Sequence, residues 1–194
     1  MTAPLWTLAD LVAATAGRVV GSPSTAIGGI SIDSRTIATG EAFFAIQGDA
    51  RDGHDFVEAA LARDAGVCVV GEDKLGALPA SGRYVVVDDV LEALRRLAVA
   101  SRARSRARIV AVTGSVGKTS TKEALRQVLA DQGRTHASVA SYNNHWGVPL
   151  TLARMPADAE FGIFEIGMNH AGEITPLVAM VRPHVAVVTT VAPV

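Results

Sequence analysis

Two periodicities alternate along the chain. Short β-branched or apolar runs at 30–32, 43–46, 67–70, Tyr84–Val87, 109–113, 161–166 and 185–191 have the length and composition of strands. Between them, apolar residues recur every three or four positions, the spacing of one face of a helix. Leu5, Leu8, Leu11 and Val12 form one such stripe, with Thr7 and Asp10 as a capping box and Gly17 as its stop. Asp55 and Glu58 predict a helix start that Gly66 ends. Asp89 and Glu92 can cap a helix carrying Leu91, Leu94 and Leu97, and Leu125, Val128 and Leu129 share a face closed by Gly133. A last helix is expected over 173–181.

Strand and helix in alternation predict an α/β protein. Residues 1–86 read as a small α/β N-terminal module, and 87–194 as the first part of a mainly parallel sheet covered by helices. The boundary is expected between 87 and 107. Because the apolar run at 185–191 stops almost at the last residue, the second sheet is expected to be incomplete, the front part of a longer protein.

Composition narrows the class only slightly. With 49% hydrophobic residues, 19% charged residues and a formal net charge of −1, the balance is that of an ordinary globular protein. Arginines at 95, 96, 102, 104, 106 and 108 make a local basic stretch without interleaved aromatics, which favours a solvated helix face and linker over a polyanion patch. No nucleic-acid partner is therefore expected. Cys68, the single cysteine, lies in an apolar run and reads as a reduced core residue. Asp10 interrupts the N-terminal apolar residues, so neither a signal peptide nor membrane insertion is expected, and the cytoplasm is the default compartment. A monomer is expected.

The chemistry concentrates in IVAVTGSVGKTST, residues 109–121. A strand entering a glycine-rich turn and then a helix leaves backbone N–H groups aimed at one spot, where the helix dipole also favours an anion. Gly114 and Gly117 let the backbone fold closely round phosphates, Lys118 can reach the outer ones, and the Thr119 hydroxyl can ligate Mg²⁺. The spacing departs from the common G-x-x-x-x-G-K-[ST] loop, which would need glycine where Val112 stands. A simple glycine turn with a solvated lysine is the alternative.

Glu165, at the end of an apolar strand expected beside the loop strand, can share the magnesium; otherwise it is a capping or ion-paired carboxylate. Asn143 and Asn144 offer amides in what reads as a loop near Gly147 and Pro149, either as ligands or as turn residues. His145, Asn169 and His170 are weaker candidates, Glu173 reads as a helix cap, and Trp6 and Trp146 as packing residues. In the first module, Asp33-Ser34-Arg35 and Asp52-Gly53-His54-Asp55 form two polar clusters that suggest either a ligand edge or turns.

Together these segments resemble the ATP-dependent Mur ligases of bacterial peptidoglycan synthesis. SIDSRTIATGEAFFAIQGDARDGHDFVEAALARDAG is similar to their N-terminal substrate domain, and TGSVGKTSTKE, NNHWGVPLTL and EIGMNHAGEI to their central ATPase domain. EIGMNHAGEI most resembles the member that joins D-alanyl-D-alanine to UDP-N-acetylmuramoyl-tripeptide. The resemblance implies ATP and Mg²⁺ as cofactors and an acyl-phosphate intermediate. It places Gly114 to Ser120 and Asn144 at the nucleotide, Lys118 on the transferring group, Thr119 and Glu165 on the metal, and Ser34, Arg35, Gly53 and His54 at the UDP-sugar end. It also implies a third domain, a metal-site histidine and a carbamylated lysine downstream of Val194, so that these residues alone would not turn over. The other readings are the sister ligase adding the third peptide residue, a P-loop small-molecule kinase, and a non-catalytic nucleotide-binding fragment.

Overall fold

The computed structural model describes residues 3–48, 50–139, 141–168 and 171–192. Their chain contacts divide the protein into two compact units, Met1–Leu97 and Ala98–Val194.

In the first unit, β1 (Trp6–Thr7) leads into α1 (Leu8–Thr15), followed by β2 (Arg18–Val20), β3 (Ala26–Ile27), β4 (Ile30–Ser31) and β5 (Ala42–Phe44). A 3₁₀ turn at Gly53–Phe56 then runs into α2 (Val57–Ala62), β6 (Val67–Gly71), β7 (Tyr84–Val87) and the start of α3 (Val90–Arg104), whose residues from Ala98 onward belong to the second unit. The Thr7 hydroxyl accepts the Asp10 N–H, as the capping box requires, and Ala16 ends α1 in a left-handed conformation. The main sheet has the order β2-β7-β6-β5-β4, with β4 to β7 parallel and β2 antiparallel; β1 and β3 pair separately. Phe43, Cys68, Val70, Tyr84 and Val86 meet Val57 and Ala60 in one buried cluster. Burial pushes the Cys68 thiol up to about 12, so it is an inert core residue.

The second unit contains β8 (Arg108–Thr113), α4 (Lys118–Ala130), β9 (Thr135–Ala137), α5 (Gly147–Ala153), β10 (Phe161–Glu165), α6 (Ile174–Val181) and β11 (Val185–Val188). Its sheet, β11-β8-β10-β9, is parallel throughout. Ile109, Ala111 and Phe164 pack against Val148 and Leu152 of α5 and Leu177 and Val181 of α6. Parallel pairing carries the β8 and β10 chains to the same edge of the sheet, where Glu165 registers with Val112.

Several expectations need correction. The stretch around Gly147 and Pro149 is a helix, fully buried along its length. Pro149 lies in its first turn, where no N–H partner is required, and a Cβ on Gly147 would meet the Tyr142 backbone at 2.8 Å. Val128 is 64% exposed, so the inward face of α4 is set by Lys122, Leu125 and Leu129 instead. α2 starts after the 3₁₀ turn capped by Asp52, and the left-handed residue that follows it is Asp64, not Gly66. Glu173 occupies the N-cap position of α6 without a side-chain cap hydrogen bond. Of the arginines, Arg95 and Arg96 do pair on the surface with Glu92, but Arg102 is buried. Its guanidinium donates to the carbonyls of Val181 and Arg182 at 2.7 and 2.9 Å and so closes the C-terminal end of α6.

Candidate phosphate and metal site

The turn between β8 and α4 depends on its two glycines. Gly114 has φ +137°, and a Cβ there would meet the Thr189 hydroxyl at 2.0 Å; Gly117 has φ +88° and is the N-cap of α4. With no side chain capping that end, the N–H groups of Lys118, Thr119 and Ser120 are left for an anion. The rest of the turn is held from behind. Thr190 accepts the Ser115 N–H at 2.8 Å, the Ser115 hydroxyl bonds Ala192, and Val116 bridges to Thr190 with its side chain 68% exposed.

Lys118 donates to the carbonyls of Gly114 and, at 3.4 Å, Ser115. These are weak claims on an ammonium, and a phosphate would outcompete them. Beside it, Glu165 is 1% exposed, and its carboxylate accepts Thr119 Oγ1 and Asn143 Nδ2, each at 3.0 Å. Ser138 Oγ accepts the Glu165 N–H at 3.2 Å. Around these groups lies a cavity of about 260 Å³, lined by Ser115, Gly117 to Ser120, Ser141, Asn143 and Glu165.

The donor set fits Mg²⁺. A hard cation takes carboxylate and hydroxyl oxygens, and metal–oxygen bonds of about 2.1 Å set neighbouring octahedral ligands about 3.0 Å apart. Thr119 Oγ1 and Glu165 Oε2 stand 3.0 Å apart. Among the described residues no three His, Cys, Asp or Glu side chains converge on another metal position.

The two asparagines separate. Asn144 Oδ1 accepts the N–H groups of Gly147 at 2.8 Å and Trp146 at 3.4 Å, so its side chain starts α5, while Asn143 faces the cavity. His145 is exposed, and Asn169 and His170 lie outside the described residues. Trp6 is buried, and Trp146 meets Tyr142 edge-on at 5.5 Å, as packing residues do. Sequence reasoning missed Lys122 and Ser138. A lysine at i+4 from Lys118 on the same helix face was the available signal.

In the first unit, the loops after β4 and β5 bring Ser34, Arg35, Gly53 and His54 to the carboxyl end of the parallel strands. Ser34 is buried. The exposed Arg35 guanidinium pairs with Asp33 and, through that hydrogen bond, holds the Asp33 carboxyl at about 2. Gly53 passes so close to Ala45 and Ile46 that a Cβ would sit 2.6 Å from their backbone. His54 Nε2 accepts the Gly71 N–H at 2.9 Å, which puts the proton on Nδ1, 2.6 Å from Asp52. Burial raises the Asp52 carboxyl, but hydrogen bonds from His54 and Lys74 outweigh it and hold the group at about 2. His54 therefore ties the loop to the end of β6.

A parallel sheet, a glycine turn at a helix start, a lysine, and a hydroxyl paired with a buried carboxylate define an α/β protein with a P-loop-like turn. Comparison with known families is more specific. Residues 26–102 match the Mur ligase family, catalytic domain, and residues 112–194 match the Mur ligase middle domain. The chain belongs to the Mur ligase family. It is 39% identical over 163 residues to the UDP-N-acetylmuramoyl-tripeptide–D-alanyl-D-alanine ligase of Rickettsia prowazekii, covering 84% of this chain and 36% of that protein. The Escherichia coli ligase of the same name is 36% identical over 186 residues, covering 96% and 40%. Crystalline MurF from Acinetobacter baumannii superposes with a TM-score of 0.80 at 34% identity, over 94% of this chain and 40% of that one. MurF ligase from Thermotoga maritima, solved in complex with ADP, gives 0.68 at 28% identity, over 84% and 37%. The chain thus spans about two fifths of the length of these relatives.

Proposed function

We propose that the chain is the nucleotide-binding and part of the substrate-binding portion of a cytoplasmic ATP-dependent amide ligase, one that joins D-alanyl-D-alanine to UDP-N-acetylmuramoyl-tripeptide. The observation that carries the reading is the joint placement of Lys118, Thr119 and Glu165 at the open N-terminus of α4. The named activities of relatives at 36–39% identity select the reaction.

In the first step a substrate carboxylate attacks the γ-phosphate of ATP, releasing ADP and giving an acyl phosphate; the amine of the dipeptide then displaces phosphate, loses a proton, and an amide forms. Two anions must approach, so the chain's contribution is neutralisation and alignment. The N–H groups from Lys118 to Ser120 hold the phosphate oxygens. Lys118 leaves its own loop carbonyls to meet the transferring phosphoryl group. Thr119 and Glu165 would hold Mg²⁺, which supplies charge neutralisation to the phosphates, and Asn143 fixes the rotamer of Glu165. Asn144 serves the nucleotide indirectly, by starting the helix that follows Asn143. Ser34, Arg35, Gly53 and His54 form the UDP-sugar edge, His54 shaping the loop and Arg35 offering its exposed guanidinium to a diphosphate.

Calorimetric titration of this chain with ADP and Mg²⁺ tests the reading. Lys118→Ala is expected to weaken binding at least about tenfold, since a charge-assisted hydrogen bond contributes roughly 1.5–3 kcal/mol. Equal affinity in the two proteins would remove the loop from the function.

A further inference from the structure

Lys122 is one of the largest fully buried side chains in the protein, with no exposed surface. Removing an ammonium from water costs several kcal/mol unless hydrogen bonds and charge compensate, and a methionine of similar length would fill the position without that cost. What the lysine adds is direction. Its Nζ donates to the Ser138 carbonyl at 2.9 Å and lies 3.1 Å from the Glu123 carboxylate. Ser138 in turn presents Oγ to the Glu165 N–H at 3.2 Å. Lys122 stands one helical turn beyond Lys118, on the helix whose first turn carries Thr119.

A connected path therefore runs from α4 through Lys122 and Ser138 to the backbone of Glu165, and closes through the carboxylate onto Thr119. The closed ring fixes the distance between the two metal-site oxygens. Ser138 is also tied to β10, its N–H donating to the Ile163 carbonyl at 3.1 Å, so what Lys122 adds is the link from Ser138 to α4. Metal sites depend on such supporting contacts because a first ligand displaced by a fraction of an ångström no longer fits the ion.

We infer that Lys122 is a positioning residue for the magnesium site: it holds Glu165 in register with Thr119 by gripping Ser138, without itself touching nucleotide or metal. The inference rests on the phosphate-site reading and adds a separate signature to it. Positioning of a metal ligand should appear in the metal dependence of nucleotide binding. A purely structural lysine should lower thermal stability and leave that dependence alone.

The experiment measures the ADP affinity of this chain with and without Mg²⁺ for the wild type, Lys122→Met and Lys122→Arg, with circular dichroism melts on each. For the wild type, Mg²⁺ should tighten binding; no metal-linked binding at all would sink the phosphate-site reading, and this inference with it. In Lys122→Met the Mg²⁺ enhancement should fall about tenfold, with metal-free affinity within about twofold of the wild type. Lys122→Arg, which keeps a cationic donor, should recover part of the loss. An undiminished Mg²⁺ enhancement in folded Lys122→Met overturns the inference while leaving the site reading intact. Should Lys122→Met fail to fold, Ser138→Ala removes only the hydroxyl that meets Glu165, and its Mg²⁺ enhancement is expected to fall about threefold; an unchanged enhancement there overturns the inference equally.

Discussion

Glu165 concentrates the chemistry of this chain in one side chain. A carboxylate at 1% exposure needs compensation, and among the described residues its side-chain donors are a hydroxyl and an amide, both neutral. Neutral donors stabilise the anion without cancelling its charge, so its full attraction remains for a cation arriving with the phosphates. Glu165→Gln tests this at constant shape. The amide oxygen can still accept from Thr119 or Asn143, so secondary structure should be preserved, while the Mg²⁺ concentration needed for half-maximal ADP binding should rise at least about tenfold, because a ligand charge has been deleted. An unchanged metal titration would return Glu165 to a structural role. The residue types at this site were legible in the sequence because each belongs to a short motif with its own chemistry. Lys122 and Ser138 were not, since a lysine four residues after Lys118 looks like a solvated charge until the burial of α4 is known.

At the scale of elements, the strands were the legible part. β6, β7, β8 and β10 are continuous apolar runs of the kind a parallel sheet buries on both faces, and their positions followed directly. Helix ends and short elements were harder. α5 carries glycine and proline in its first turn, both punctuation in a sequence; the close approach to Tyr142 explains Gly147, and a first-turn position that needs no N–H explains Pro149. β9 is three half-buried residues held by pairing with β10, so its strand character comes from the partner more than from its own composition. The cap of α5 yields a prediction that separates neighbouring asparagines. Asn144→Ala should cost about 1 kcal/mol of stability through the lost cap, seen as a lowered melting temperature, with a modest loss in nucleotide affinity. Asn143→Ala, which takes a donor from the buried Glu165 carboxylate, should lower the melting temperature comparably and add a clear loss of Mg²⁺-dependent ADP binding. The same loss in both variants would mean that the segment acts as a unit.

At the scale of the whole molecule, binding and turnover make different demands on the chain. Holding a nucleotide, as proposed, would use the loop, the helix start and the oxygens of Thr119 and Glu165, all of which lie within Ala98–Val194. Forming an amide requires in addition that an amine reach the acyl phosphate before water does, because an exposed acyl phosphate hydrolyses. The cavity beside Lys118, about 260 Å³ and lined by polar side chains, has a size suited to phosphates and a metal ion. The chain spans only 36–40% of the length of the relatives named as ligases. These 194 residues alone are therefore expected to bind ADP and Mg²⁺ yet, when supplied with ATP, to release no phosphate in response to UDP-N-acetylmuramoyl-tripeptide and D-alanyl-D-alanine. Phosphate release is the right readout, because it registers both productive ligation and wasteful hydrolysis of the intermediate. Release that depends on the tripeptide but not on the amine would show that the first half-reaction is complete within this chain, and that the remainder of the relatives' length serves the second. Release dependent on both, at the rate of a full-length ligase, would place the whole reaction here and refute the division of labour.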